Sequence, residues 1–267
     1  MCPSDIMIAR FIFLIAVIGI GAQASDYPLC GECWCATGTN LTSCPSPAPA
    51  SEFSPKTVSL FQQKIPNAVF TLGCNPYKDD ACLTSPPQPV LGDDAVCAYL
   101  YSGVCPTNTY ELVSYASRTD AENAGAVITH EGVCGLCSTT QDLSIYLIKD
   151  FTTAGKTCAE KGLLHEPSGQ KCYESLGLTP ACAKIWNYDG IFDGHKCMTS
   201  CITHLNDPNN GNPPSCALNE CLQCDEDKAG PIFSQFAART RRRSGLVSEI
   251  IRPCDNIAMG INHDPLC

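Results

Sequence analysis

Charge is scarce in this sequence, and positive charge is scarcer still. Charged residues fill 16% of the 267 positions, aromatic residues only 7%, and 17 bases face 27 acids for a net charge of −10. That balance excludes the basic face on which nucleic-acid binding depends, because affinity there comes from the counterions that Lys and Arg displace. No Gly-X-Y register runs through the chain, which excludes a collagen-like fibre. The longest apolar run, residues 11–22, falls short of the roughly 20 residues that cross a bilayer core, so no stable membrane span is expected. The five histidines, His130, His165, His195, His204 and His263, show no H-x-x-x-H or H-E-x-x-H spacing. Asp207 to Pro214 places its glycine too early for a calcium loop and lacks the closing glutamate. Neither a metal site nor a cofactor is expected.

What the chain has in excess is cysteine, 21 residues, beside 20 glycines and 20 prolines. A reducing compartment leaves thiols unpaired and reactive, so this load points to an oxidising one. Hydrophobic residues at 44% are enough for a core. The start of the chain agrees: Arg10 precedes the apolar run, and Ala22-Gln23-Ala24 forms an A-x-A cleavage pattern before Ser25. Residues 1–24 therefore read as a signal peptide and the protein as secreted. Cleavage removes Cys2 and leaves an even number of cysteines. The sequon Asn40-Leu41-Thr42, in a polar loop between Cys35 and Cys44, is a glycosylation site in that compartment.

Two regions follow the leader. Residues 25–130 read as a cysteine-stapled loop and strand region, with short β-leaning runs at Ala68 to Leu72 and Glu111 to Tyr115 bounded by Pro, Gly and Asp-Asp. Residues 131–267 read as a cysteine-stapled helical region. Thr139 to Asp142 matches a capping box, after which Leu143, Tyr146, Leu147 and Phe151 recur at helical spacing. Thr179-Pro180 opens a second helix, with Cys182, Ile185 and Trp186 on one face, and Gly230-Pro231 opens a third. Cys197 and Cys201 share a helix side and can staple neighbouring segments, and Cys221 and Cys224 suit a helix end. The fold class expected is α+β and disulfide-rich.

The chemistry-bearing motifs are few. Ala124 to Thr129 leads as a strand into Cys134-Gly-Leu-Cys137, and a strand entering CGxC at a helix start resembles the thioredoxin active site. A helix N-terminus stabilises a thiolate, and the second thiol resolves the mixed disulfide. Gly132 to Cys137 also resembles the G-S-C-G-S-C segment of papain-like cysteine proteases, which makes Cys137 the nucleophile and His263 its base. If instead both cysteines are structural, each should pair with a distant partner, because a two-residue loop closes little chain entropy. Asp225-Glu-Asp227 can contribute to a weak cation site, or sit before Pro231 for the favourable field of a helix start. Arg239 to Arg243 contains an R-x-R-R convertase site; it also suits the end of the helix begun at Pro231, with Gly245 terminating it.

The set Thr129-His-x-Gly-x-Cys-Gly-x-Cys137-Ser-Thr-x-Gln-Asp-Leu143, Cys221-Leu-Gln-Cys-Asp-Glu226, Gly230-Pro-x-Phe233 and Arg239-Thr-Arg-Arg242 resembles secreted cysteine-rich proteins of microbial eukaryotes. The resemblance implies secretion and a shared fold, and no activity. The expected function is extracellular binding or structural interaction, with an extracellular protein or a carbohydrate as partner. The alternatives are a thiol-disulfide oxidoreductase using Cys134 and Cys137 and a cysteine hydrolase using Cys137 and His263.

Overall fold

The computed structural model describes Cys33–Trp34 and residues 53–264, apart from 90, 104–107, 205, 213–214, 247, 254–255 and 262. Residues 1–24, expected as a signal peptide, and the Asn40 sequon lie outside the described residues. The fold is α+β and disulfide-rich, a loop-rich part with short strands followed by a mainly helical part. Strand β1 (Cys33–Trp34) pairs in parallel with β6 (Arg252–Pro253), near the other end of the chain. The larger sheet has the order β2-β4-β3-β5, built from β2 (Ile65–Pro66), β3 (Val96–Tyr101), β4 (Thr109–Tyr115) and β5 (Val127–Glu131). Its central pairs are antiparallel, with Val96 opposite Tyr115 and Tyr101 opposite Tyr110.

Successive side chains of a strand point to opposite faces, and this sheet uses both. Tyr99 and Tyr110, with ring centroids 4.8 Å apart, enter the main core with Phe61, Leu143, Ile185 and Phe236. Val96, Ala98 and Ile128 pack on the other face against Ala121 of α3 (Arg118–Asn123). One core is therefore shared by both halves of the sequence.

The helices start where side chains supply the missing partners of first-turn amides. Thr139 accepts from Asp142 N at the head of α4 (Thr140–Ile148), and Thr179 accepts from Cys182 N at the head of α7 (Pro180–Lys196). Between them lie α5 (Phe151–Leu164) and α6 (Glu166–Ser175), and after them α8 (Met198–Thr203), α9 (Glu220–Lys228) and α10 (Gly230–Phe236). Gly162 and Gly169 let α5 and α6 touch backbone to backbone, since a Cβ on Gly169 would stand 2.5 Å from the Gly162 Cα.

Four local expectations change. Ala68 to Leu72 has no regular structure, and the loop-rich half contains α1 (Pro55–Gln62), which starts on Ser54-Pro55 with the serine hydroxyl accepting from Thr57 N at 3.1 Å. Phe151 does not extend α4: Lys149 is extended, and the Asp150 carboxylate accepts from Thr152 N at 3.0 Å, capping a new helix. The helix begun at Gly230 ends at Phe236, and Ala238 turns the chain inward at φ 66°. Gly245 therefore closes a separate 3-10 turn, Arg242–Ser244, not α10.

Six disulfides have both halves among the described residues: Cys74–Cys82, Cys97–Cys134, Cys137–Cys182, Cys158–Cys172, Cys197–Cys224 and Cys201–Cys221. The last two tie α8 to α9 twice. No helix among the described residues is long and apolar enough to cross a membrane.

Candidate functional site

Cys134 and Cys137 are bonded apart from each other. Cys134 joins Cys97 of β3 and Cys137 joins Cys182 of α7, closing separations of 37 and 45 residues, and both sulfurs are buried. His263 stands edge-on to Phe53, with its Nε2 2.7 Å from the Ser244 carbonyl oxygen. A carbonyl only accepts, so Nε2 carries the proton there, and burial pushes this histidine down to about 4. A nearby pair went unnoticed in the sequence: His130 Nε2 lies 2.7 Å from the Ser138 hydroxyl. Both residues are wholly buried, which leaves no room for a substrate.

The basic run is equally closed. Arg239 is fully buried and its guanidinium donates to the carbonyls of Cys137, Thr129 and Ser138 and to the hydroxyls of Tyr99, Thr129 and Ser244. Arg241 pairs with Asp150 at 3.4 Å and Arg242 with Glu226 at 3.0 Å. The arginines hold the C-terminal segment onto the helices and sheet.

A sizeable cleft among the described residues lies elsewhere. The cleft, of about 500 Å³, runs between α5, α7, α8, α9, α10 and the segment around Arg241 to Ile257, within the size range of small-molecule sites. Trp186 lies at the centre of its apolar wall, with ring centroids 4.6 Å from Phe233 and 5.0 Å from Phe151. Trp186 Nε1 is satisfied by the Tyr146 hydroxyl at 2.9 Å, so the indole presents carbon to the cleft. The doubly bridged α8–α9 hairpin also lines the cleft, and its Met198 and Ile202 are exposed.

Three carboxyl groups converge in this cleft, whose lining also includes Asp150, Lys156, Glu226, Arg241, Arg242 and Arg252. Asp189 and Asp193 sit one turn apart on α7, Asp225 comes from α9, and one oxygen from each lies within 4.8 Å of the others. Like charges at i and i+4 oppose each other on a helix, and here both side chains turn inward. The Tyr77 hydroxyl, carried on the loop bridged by Cys74 and Cys82, donates to Asp189 Oδ1 at 2.7 Å. Asp193 shares a hydrogen bond with Asp225, while Asp193 Oδ1 is enclosed and meets no hydrogen-bond donor among the described residues.

Burial and mutual repulsion raise all three carboxyls above the usual carboxylate range. Burial, then the charges of Asp189 and Asp225, pushes Asp193 up to about 11. Asp189 is raised by burial and by Asp225 against the opposing bond from Tyr77. Asp225 is raised by burial but eased by the bond from Asp193 and by Arg252 and Arg242. Those two arginines are themselves committed to Glu226, at 2.5 and 3.0 Å. Among the described residues no Lys or Arg forms an ion pair with the trio. Such an array can receive a cation or pass a proton; it offers no activated thiol or hydroxyl.

In the sequence Asp225 stands out within Asp225-Glu-Asp227, as a contributor to a weak cation site or as an acid before Pro231, whereas Asp189 and Asp193 do not stand out. The available signal was the repeated Asp-Gly at Asp189-Gly190 and Asp193-Gly194. A Cβ on Gly190 would stand 2.6 Å from the Ala159 Cβ and one on Gly194 would stand 2.4 Å from Leu163 Cδ1, so both glycines mark where α5 packs closely on α7.

Residues 166–260 match a family of unknown function, DUF8771. The matched stretch holds all three carboxyl groups and Arg241, Arg242 and Arg252, and it leaves out Cys134, Cys137 and His263. No curated protein and no solved structure matches the chain.

Proposed function

We propose that the protein is secreted and binds a small extracellular ligand in the cleft between α7 and the α8–α9 hairpin. The single observation that carries this reading is the preformed cleft itself, apolar along its walls and polar where Asp189, Asp193 and Asp225 converge. Binding sites commonly combine an apolar enclosure with a few convergent polar groups. The disulfide framework supports an extracellular setting, and the long-range pairings of Cys134 and Cys137 favour binding over thiol exchange or cysteine hydrolysis.

The direct test uses 1-aminoanthracene, a fluorescent apolar probe that is neutral at pH 7. It is titrated into the full chain recovered from a secretory host, whose first residue by amino-terminal sequencing is expected to be Ser25. The expected result is saturable binding with one site per chain, lost when Leu222→Trp fills the cleft in a protein whose circular dichroism is unchanged. Absence of saturable binding, or binding indifferent to Leu222→Trp, would refute the reading.

A further inference from the structure

We propose that the occupant of the cleft is an organic ammonium ion, a protonated amine on an apolar body, with its nitrogen among Asp189, Asp193 and Asp225 and its body along Trp186, Phe151 and Phe233. This inference rests on the cleft being the binding site and adds the chemistry of what enters it.

Four observations point the same way. The first is unmet demand. Asp193 Oδ1 is enclosed in the cleft wall with no donor, and an unmatched buried acceptor costs about 1–3 kcal/mol. The second is charge. The nearby guanidiniums are taken up by Glu226 and Asp150, so the trio faces the opening without an ion-pair partner among the described residues. The third is spacing. One oxygen from each carboxyl group lies within 4.8 Å of the others, with Asp193 and Asp225 close enough to share a hydrogen bond, so one ammonium can reach acceptors on both helices. The fourth is the wall, since aromatic faces attract a cation and cover an apolar body.

A hard divalent cation fits less well. Calcium takes six to eight oxygen ligands, whereas three carboxyl groups converge here and Asp150 and Glu226 in the same lining are already paired with arginines. All three carboxyls are raised by burial, Asp193 up to about 11, so full ionisation of the trio, which a hard divalent ion favours, is opposed there. An amine arriving with three N–H donors satisfies the lone oxygen at Asp193 and the shared pair at Asp225 together.

The test is competition on the full-length secreted protein. Octylamine and 2-phenylethylamine are titrated against bound 1-aminoanthracene beside their neutral counterparts, octanol and 2-phenylethanol, and beside octanoate, calcium chloride and methyl glucoside. The amines should displace the probe at concentrations about tenfold lower than the alcohols. In Asp225→Asn, which replaces the member of the pair that accepts the bond from Asp193, that preference should fall towards parity. The variant is isosteric, and an unchanged circular dichroism spectrum checks that its fold is retained.

Equal displacement by amine and alcohol would overturn the inference and leave the cleft reading intact. Stronger displacement by octanoate, calcium or the glucoside would do the same and name the better class. Calorimetry with octylamine alone keeps the two readings separable. Octylamine heat that Leu222→Trp abolishes supports an ammonium in the cleft even where the probe gives no fluorescence, whereas heat indifferent to Leu222→Trp, or no heat, refutes the ammonium.

Discussion

Tyr77 and Asp189 stand 112 residues apart in sequence and share a 2.7 Å hydrogen bond, in which the phenol donates to Oδ1 of a carboxyl group 8% exposed. The bond makes the loop bridged by Cys74 and Cys82 a part of the cleft, because it sets the orientation of a group on α7 from behind. Tyr77→Phe removes the donor and leaves the acceptor buried. The loss should be about 1–2 kcal/mol in denaturant unfolding, with Asp189 pushed further up in an NMR titration. Unchanged stability and an unmoved Asp189 would show that the contact does not position the carboxyl.

The pH dependence of stability follows from the trio. Asp189, Asp193 and Asp225 are raised above their unfolded value near 3.8, so their contribution is complete below that pH and is lost as pH rises, through about 11 for Asp193. Asp142, raised to about 6 by burial, acts in the same direction. His130 and His263 are depressed by burial below 6.5, and their contribution is complete above that value and lost as pH falls. The window above about pH 6.5 is therefore governed by the carboxyls. Melting temperature should fall from pH 7 to pH 9, and Asp193→Asn should flatten the fall and raise the melting temperature at pH 9. A melting temperature that climbs over that range would contradict the assignment.

The α8–α9 hairpin has no fully buried residue in either helix and depends on its two bridges. Replacing Cys201 and Cys221 together by serine should cost about 2–3 kcal/mol, given the 20-residue separation they close. Hydrogen exchange should then rise across residues 198–228 ahead of the α5–α7 bundle, and probe affinity should drop. Exchange that rises uniformly over the whole chain would mean that the hairpin is not an independent wall.

Arg239 is a buried cation held by six hydrogen bonds to carbonyls and hydroxyls. Lysine cannot reproduce the planar fork of a guanidinium. Arg239→Lys and Arg239→Ala should both lower secreted yield severely, with destabilisation on the order of 3–5 kcal/mol for the alanine. The folded protein should also resist cleavage after Arg242 by a purified convertase that cuts R-x-R-R peptides. Rapid cleavage of the native chain would contradict this packing.

The parts of the fold that were legible in sequence are those set by near neighbours. Thr139 and Thr179 announce their helices because the cap contacts an amide three residues on, and Glu111 to Tyr115 shows strand composition. The site was less legible because its meaning is tertiary. Asp189 and Asp193 look like a solvated helix face until Asp225 and Tyr77 are brought against them from other parts of the chain. The basic run was misread for a related reason: the left-handed turn at Ala238 directs Arg239 into the core, where a rule based on the field of the helix end no longer applies.

The most direct measurement is a structure of the full chain with 2-phenylethylamine bound. The account predicts the ammonium nitrogen within about 3 Å of carboxyl oxygens from Asp189, Asp193 and Asp225, with the phenyl ring against Trp186. An empty cleft at saturating amine, or a ring in the cleft with its nitrogen turned to solvent, would contradict it.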